Sequence, residues 1–181
     1  MAGVLWFFSR QVISFRVNSP LATIGIGIGV FLLWIAPDAL IPGYRSHWLF
    51  QNSLTGAAQV SVVPEGLHDP WLLLFRTLRA TLIVPIVEEL FWRAWLMRWL
   101  VDKDFWTVKL GTYIPSAFWI TAALFASEHG PYWEVGLMAG IAYNWWMVRT
   151  KSLGDLILAH AITNGCLCAY VIGAQKWEYW L

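Results

Sequence analysis

Apolar residues run along this chain in blocks far longer than a soluble fold needs, with short polar stretches between them. Leu21 to Ile35 is the first block, closed by Pro37 and Asp38. It falls slightly short of the ~20 residues that carry a helix across a bilayer. A second block starts near Pro70 and runs to about Leu100. That is longer than one crossing, which predicts a tilted helix or a break at Pro85. Three further blocks follow: Tyr113 to His129, Trp133 to Val148, and Leu153 to about Ala174. Gly130-Pro131 and Arg149-Thr150-Lys151 separate them. Residues 37–69 form the long polar connection, punctuated by Pro42, Gly43, Gly56, Pro64 and Gly66. His47 and His68 are loop residues within it, and Leu49–Val63 has room for a short re-entrant piece.

Ahead of these blocks, Val4–Phe8 is followed by Arg10 and Arg16 among Val12, Ile13 and Phe15, the pattern of an amphipathic helix lying in the membrane interface. The chain is therefore expected to be an all-α integral membrane protein. About five transmembrane helices form one domain over residues 20–181, and residues 1–19 form an interfacial helix. Gly25-x-x-x-Gly29 predicts that the first span approaches a neighbouring helix closely.

Composition supports the same class. Of 181 residues, 59% are hydrophobic and 13% charged, against about 25% charged in soluble domains. Fourteen Trp residues suit a chain with many membrane–water boundaries. A net charge of +1 without a basic run gives no reason to expect nucleic acid as a partner. Cys166 and Cys168 lie on different faces of one helix, which makes them packing residues rather than a pair. The placement of Lys and Arg orients the N-terminus inside and the C-terminus outside.

Against this background the polar residues inside the spans stand out. Glu88, Glu89 and Arg93 interrupt the second block, where a charge costs at least about 2.5 kcal/mol. Glu89 and Arg93 are i,i+4 neighbours and can pair, while Glu88 lies about 100° around the helix and points elsewhere. Pro85 cannot donate to the carbonyl of Thr81 and opens space beside the acids. His129 ends the third block one turn after Phe125, next to Glu128. His160 and Asn164 share one face of the last span. A carboxylate, two imidazoles, a carboxamide and a guanidinium suit hydrolysis: a carboxylate with an imidazole deprotonates water, and imidazole and amide N–H groups stabilise an oxyanion. The same Glu, His, His set could hold a zinc ion with a place for water. No H-E-x-x-H motif is present, and the ligands would come from separate helices.

Glu88-Glu89-x-x-x-Arg93, Phe125-x-x-x-His129 and His160-x-x-x-Asn164, in this order on successive spans, resemble the CAAX-protease and bacteriocin-processing family of intramembrane glutamic endopeptidases. Arg149-Thr150-Lys151-Ser152-Leu153 and Leu158-Ala159-His160-Ala161 are similar to that family too, and the likeness extends from about residue 70 to 174. The resemblance implies Glu88 as the base that activates water, His129 assisting, and His160 with Asn164 at the oxyanion. Glu89 and Arg93 then orient the site or grip the substrate, with no metal or cofactor. It also implies a membrane-associated peptide or protein substrate, prenylated or CAAX-like in one branch, and a bacterial cytoplasmic membrane as location. Larger family members carry more helices around the motifs, which leaves room here for a homodimer or a partner membrane protein. The competing expectation is a non-catalytic bacteriocin-immunity or membrane-binding protein whose polar cluster only packs helices.

Overall fold

A computed structural model describes residues 14–58 and 64–180. Five principal helices form the bundle: α1 (Pro20–Leu40), α2 (Pro70–Trp99), α3 (Pro115–Ser127), α4 (Trp133–Thr150) and α5 (Leu153–Ala174). No strand occurs among the described residues, only an isolated bridge between Asn52 and Gly56. The protein is all-α, and α1, α2 and α5 are each long and apolar enough to cross a membrane. Helix α3 is apolar but has only 13 residues.

The helix boundaries follow from local chemistry. Pro20, Pro70 and Pro115 each stand in the first turn, where the missing N–H has no helical partner to lose. The Asp69 side chain caps α2 by accepting from the amides of Trp71 and Leu72, and Ser152 caps α5 by accepting from the amide of Asp155. Lys151 and Gln175 end α4 and α5 in the left-handed region, at φ 53° and 54°.

Three expectations about α1 and α2 change. Helix α1 does not stop at Pro37: it continues to Leu40 with Pro37 inside its last turns. Gly25 and Gly29 are not the packing glycines, since a Cβ on either meets nothing within 4 Å. Gly27, two positions along and so on another face, makes the close approach: a Cβ there would lie 2.6 Å from the carbonyl oxygen of Ala159 on α5. Helix α2 runs on through Pro85 rather than breaking there. Its backbone widens to i→i+5 hydrogen bonding over Arg79–Ile83 and again over Leu90–Leu96, on either side of the α-helical turn Val84–Glu89.

The expected interfacial helix falls mostly on residues 1–13, outside the described residues. Its described remainder, residues 14–19, is not helical, and its last two amides are held by α5. Asn18 N and Ser19 N donate to the buried carboxylate of Asp155 at 2.8 and 2.9 Å, and the Thr23 hydroxyl joins them at 2.7 Å. The described part of Leu49–Val63 is turns rather than a re-entrant helix. Arg45 organises that connection: it ion-pairs with Asp38 at 2.8 Å and Glu134 at 2.7 Å and lies 4.2 Å over the Tyr132 ring. Cys166 and Cys168 are free thiols, as their spacing predicts.

The bundle is built on two extensive helix pairs, α1 with α5 and α3 with α4. Val30, Trp92, Phe125, Tyr143, Met147, Leu153 and Leu156 fill the core between them. Helix α2 crosses this core with the charged cluster on its inner side.

Candidate active site

The two widened stretches of α2 explain how this cluster is presented. In the i→i+5 register, Val84 N bonds the carbonyl of Arg79. The next nitrogen belongs to Pro85 and has no hydrogen, so the Ala80 carbonyl is left without that donor. Asn164 of α5 takes the place, its Nδ2 donating to Ala80 O at 2.9 Å. The helix defect at Pro85 is thereby tied to one of the residues singled out by sequence.

Glu89 and Arg93 are both buried and pair at 3.1 Å, as their spacing predicts. The same oxygen, Glu89 Oε1, accepts from His160 Nδ1 at 2.7 Å, which joins α2 to α5. Arg93 is held on every side. Its Nε donates to Asn144 Oδ1 at 2.9 Å, and its guanidinium lies 4.5 Å over Phe125 and 5.5 Å from the Tyr143 ring. Tyr143 stacks on His160 with ring centroids 5.0 Å apart, and its hydroxyl donates to Thr163 at 2.8 Å. Thr163 in turn reaches the Gly27 carbonyl at 2.9 Å, which anchors this chain of contacts on α1.

His129 Nδ1 lies 2.7 Å from the Phe125 carbonyl. A carbonyl only accepts, so Nδ1 carries the hydrogen, and in the neutral ring Nε2 is left as an acceptor. The ring is seated against Trp34, with centroids 5.1 Å apart, and against Phe125 at 4.8 Å. Gly136 of α4 makes the room: a Cβ there would stand 3.0 Å from the imidazole.

A cavity of about 390 Å³ opens among these groups, lined by Glu88, His129, His160 and Asn164, with Arg76 and Arg79 also in its wall. Glu88 Oε2 is buried and has no hydrogen-bond partner among the described residues. Glu128 lines the same cavity while remaining largely exposed. All four residues expected to act on a substrate thus share one space, and Glu89 with Arg93 forms the wall behind His160. Among the described residues no group of three His, Cys, Asp or Glu side chains is spaced to hold a metal ion, so these side chains do not fit the zinc alternative.

Asn144, Tyr143, Thr163 and Gly136 escaped the sequence reading. For Asn144 a signal was present: a carboxamide between Tyr143 and Trp145 on an apolar helix needs a partner. For Gly136 none was, since nothing in its neighbours points to an imidazole from another segment.

No curated protein and no solved structure matches the chain. Residues 70–166 match the family model described as Type II CAAX prenyl endopeptidase Rce1-like, and that stretch contains every residue expected in the site. The match covers more than half of the chain, bears out the resemblance read from the motifs, and agrees with its apolar helices. The chain is an integral membrane protein and belongs to the Rce1-like family of CAAX prenyl endopeptidases, a family of proteases.

Proposed function

We propose that the protein is an intramembrane endopeptidase that hydrolyses a peptide bond in a membrane-associated substrate, with prenylated or CAAX-like tails as the class its family points to. One observation carries this reading: Glu88 Oε2 is buried without a hydrogen-bond partner among the described residues, in a cavity that it shares with His129, His160 and Asn164. A buried carboxylate left in that state is costly unless another molecule uses it.

In this reading Glu88 takes a proton from water, and the water oxygen adds to the scissile carbonyl carbon. His129, with Nδ1 committed to Phe125, offers Nε2 as an acceptor that orients the water. The oxyanion is received by His160 Nε2–H and by the second Nδ2 hydrogen of Asn164, the first being held by Ala80. Because His160 Nδ1 already donates to Glu89, donation from Nε2 requires a ring carrying both protons, and the Glu89 carboxylate supplies its countercharge. Collapse of the intermediate breaks the C–N bond, and Glu88 returns its proton to the leaving amine.

The test is cleavage of a farnesylated peptide by the purified protein in lipid nanodiscs. Glu88→Gln is expected to abolish turnover while leaving the thermal unfolding midpoint unchanged. Turnover retained in Glu88→Gln overturns the assignment of the base, and absence of any cleavage by wild type favours the non-catalytic alternative.

A further inference from the structure

Asn144 lies on α4, a helix that carries none of the motif residues, and is fully buried. Its two polar ends are both used: Oδ1 accepts from Arg93 Nε at 2.9 Å, and Nδ2 donates to the Phe118 carbonyl of α3 at 2.8 Å. These two bonds fix which way the amide faces. They also make the carboxamide hard to replace. Aspartate has no hydrogen for Phe118 and adds a charge that competes with Glu89 for Arg93. Leucine has neither acceptor nor donor.

Arg93 has three directed contacts, and only some are short. Nη1 reaches Glu89 Oε1 at 3.1 Å, while Nη2 stands 3.5 Å from the Gly140 carbonyl. The Phe125 and Tyr143 rings confine the guanidinium but leave it free to turn in its own plane. The Nε–Asn144 bond is the shortest of the three and removes that freedom. With the guanidinium fixed, Nη1 sets the position of Glu89 Oε1, the atom that receives His160 Nδ1 at 2.7 Å.

We infer that Asn144 is a positioning residue of this site: by locking the Arg93 guanidinium it sets the Glu89 carboxylate that orients His160. The line runs from the Phe118 carbonyl on α3 through Asn144 on α4 to Arg93 and Glu89 on α2, and ends at His160 on α5. It therefore makes the direction of one imidazole depend on four helices being in register. Besides Glu89, titratable groups whose charges interact with His160 include Glu88 and His129, and Tyr143 covers one ring face. The consequence for turnover rests on the peptidase reading above, whereas the orientation of His160 does not.

The experiment combines nitrogen and proton NMR of the histidine side chains in nanodiscs with turnover of a farnesylated peptide. Wild type is expected to give a downfield His160 Nδ1–H signal from its bond to Glu89. Asn144→Leu is expected to lose that signal and to lower kcat about 100-fold, the scale of a 1 Å misplacement at a reacting group. KM should stay within about twofold, because the substrate-facing wall is untouched. Asn144→Asp should shift the same signal and lower kcat as well. A folded variant of either kind with a wild-type His160 signal overturns the inference, and so does wild-type kcat. If neither variant folds, the Arg93 Nε–H of the wild-type protein decides: slow exchange with solvent supports the lock, and fast exchange overturns it. A wild-type protein that shows the His160 signal but cleaves no peptide defeats the peptidase reading alone, and the variant spectra still decide the role of Asn144.

Discussion

Substituting Gly27 by alanine tests which face of α1 packs on α5. An added Cβ would sit 2.6 Å from the Ala159 carbonyl oxygen and 2.7 Å from Ile162 Cβ, where ordinary contact begins at 3.4 Å. Neither obstacle is the far end of a flexible chain, so α1 and α5 must separate by somewhat under about 1 Å, and close packing resists that. Overpacking of this kind costs about 1–3 kcal/mol. The separation also stretches the bond from the Thr163 hydroxyl to the Gly27 carbonyl, adding about 0.5–1.5 kcal/mol if it is lost. Gly25→Ala and Gly29→Ala meet open space and are expected to gain about 0.5–1 kcal/mol from reduced backbone entropy. Unfolding in mixed micelles of rising sodium dodecyl sulfate fraction, followed by circular dichroism, should rank Gly27→Ala well below wild type and the other two at or above it. A Gly25→Ala or Gly29→Ala variant that is destabilised as much as Gly27→Ala refutes this packing and restores the approach predicted by Gly25-x-x-x-Gly29.

Two further outcomes follow from named bonds. Asn164→Leu should cost about 1–3 kcal/mol by orphaning the Ala80 carbonyl, and most of that loss should vanish in a Pro85→Ala background, where residue 85 regains an N–H. Double-mutant unfolding measurements that give strictly additive costs would show that Ala80 is not the shared partner. Asp155→Asn leaves one acceptor oxygen where the carboxylate receives Asn18 N, Ser19 N and the Thr23 hydroxyl. Limited proteolysis between residues 14 and 19 should accelerate, and an unchanged cleavage rate there would mean that the carboxylate does not hold this segment.

The elements legible in sequence were those governed by apolar run length. The starts of α2 and α5 agree with Pro70 and Leu153, because a proline in the first turn and a Ser152 cap mark them locally. The Glu89–Arg93 pair was legible for the same reason, being an i,i+4 relation within one helix. Facing directions across helices were not. Helical periodicity says that Gly25 and Gly29 share a face but not which face meets α5, and the neighbour in fact packs on Gly27. The His160–Glu89 bond joins residues 71 positions apart and depends on the widened turns of α2, which Pro85 hints at without fixing their place. Convergence of the motif residues on one cavity could be expected from the order of the motifs, but their partners could not.

The brevity of α3 has a consequence for hydration. Its 13 residues make a rod about 20 Å long, roughly 10 Å less than the hydrocarbon thickness of a bilayer. A bilayer meeting so short an element thins, and its headgroups sink toward the helix end. Here that end leads directly into His129. Hydrolysis inside a lipid phase is limited by the supply of its second reactant, which the surrounding acyl chains exclude. On the peptidase reading, a bilayer thinned beside α3 would shorten the oil that water must cross to reach the imidazole.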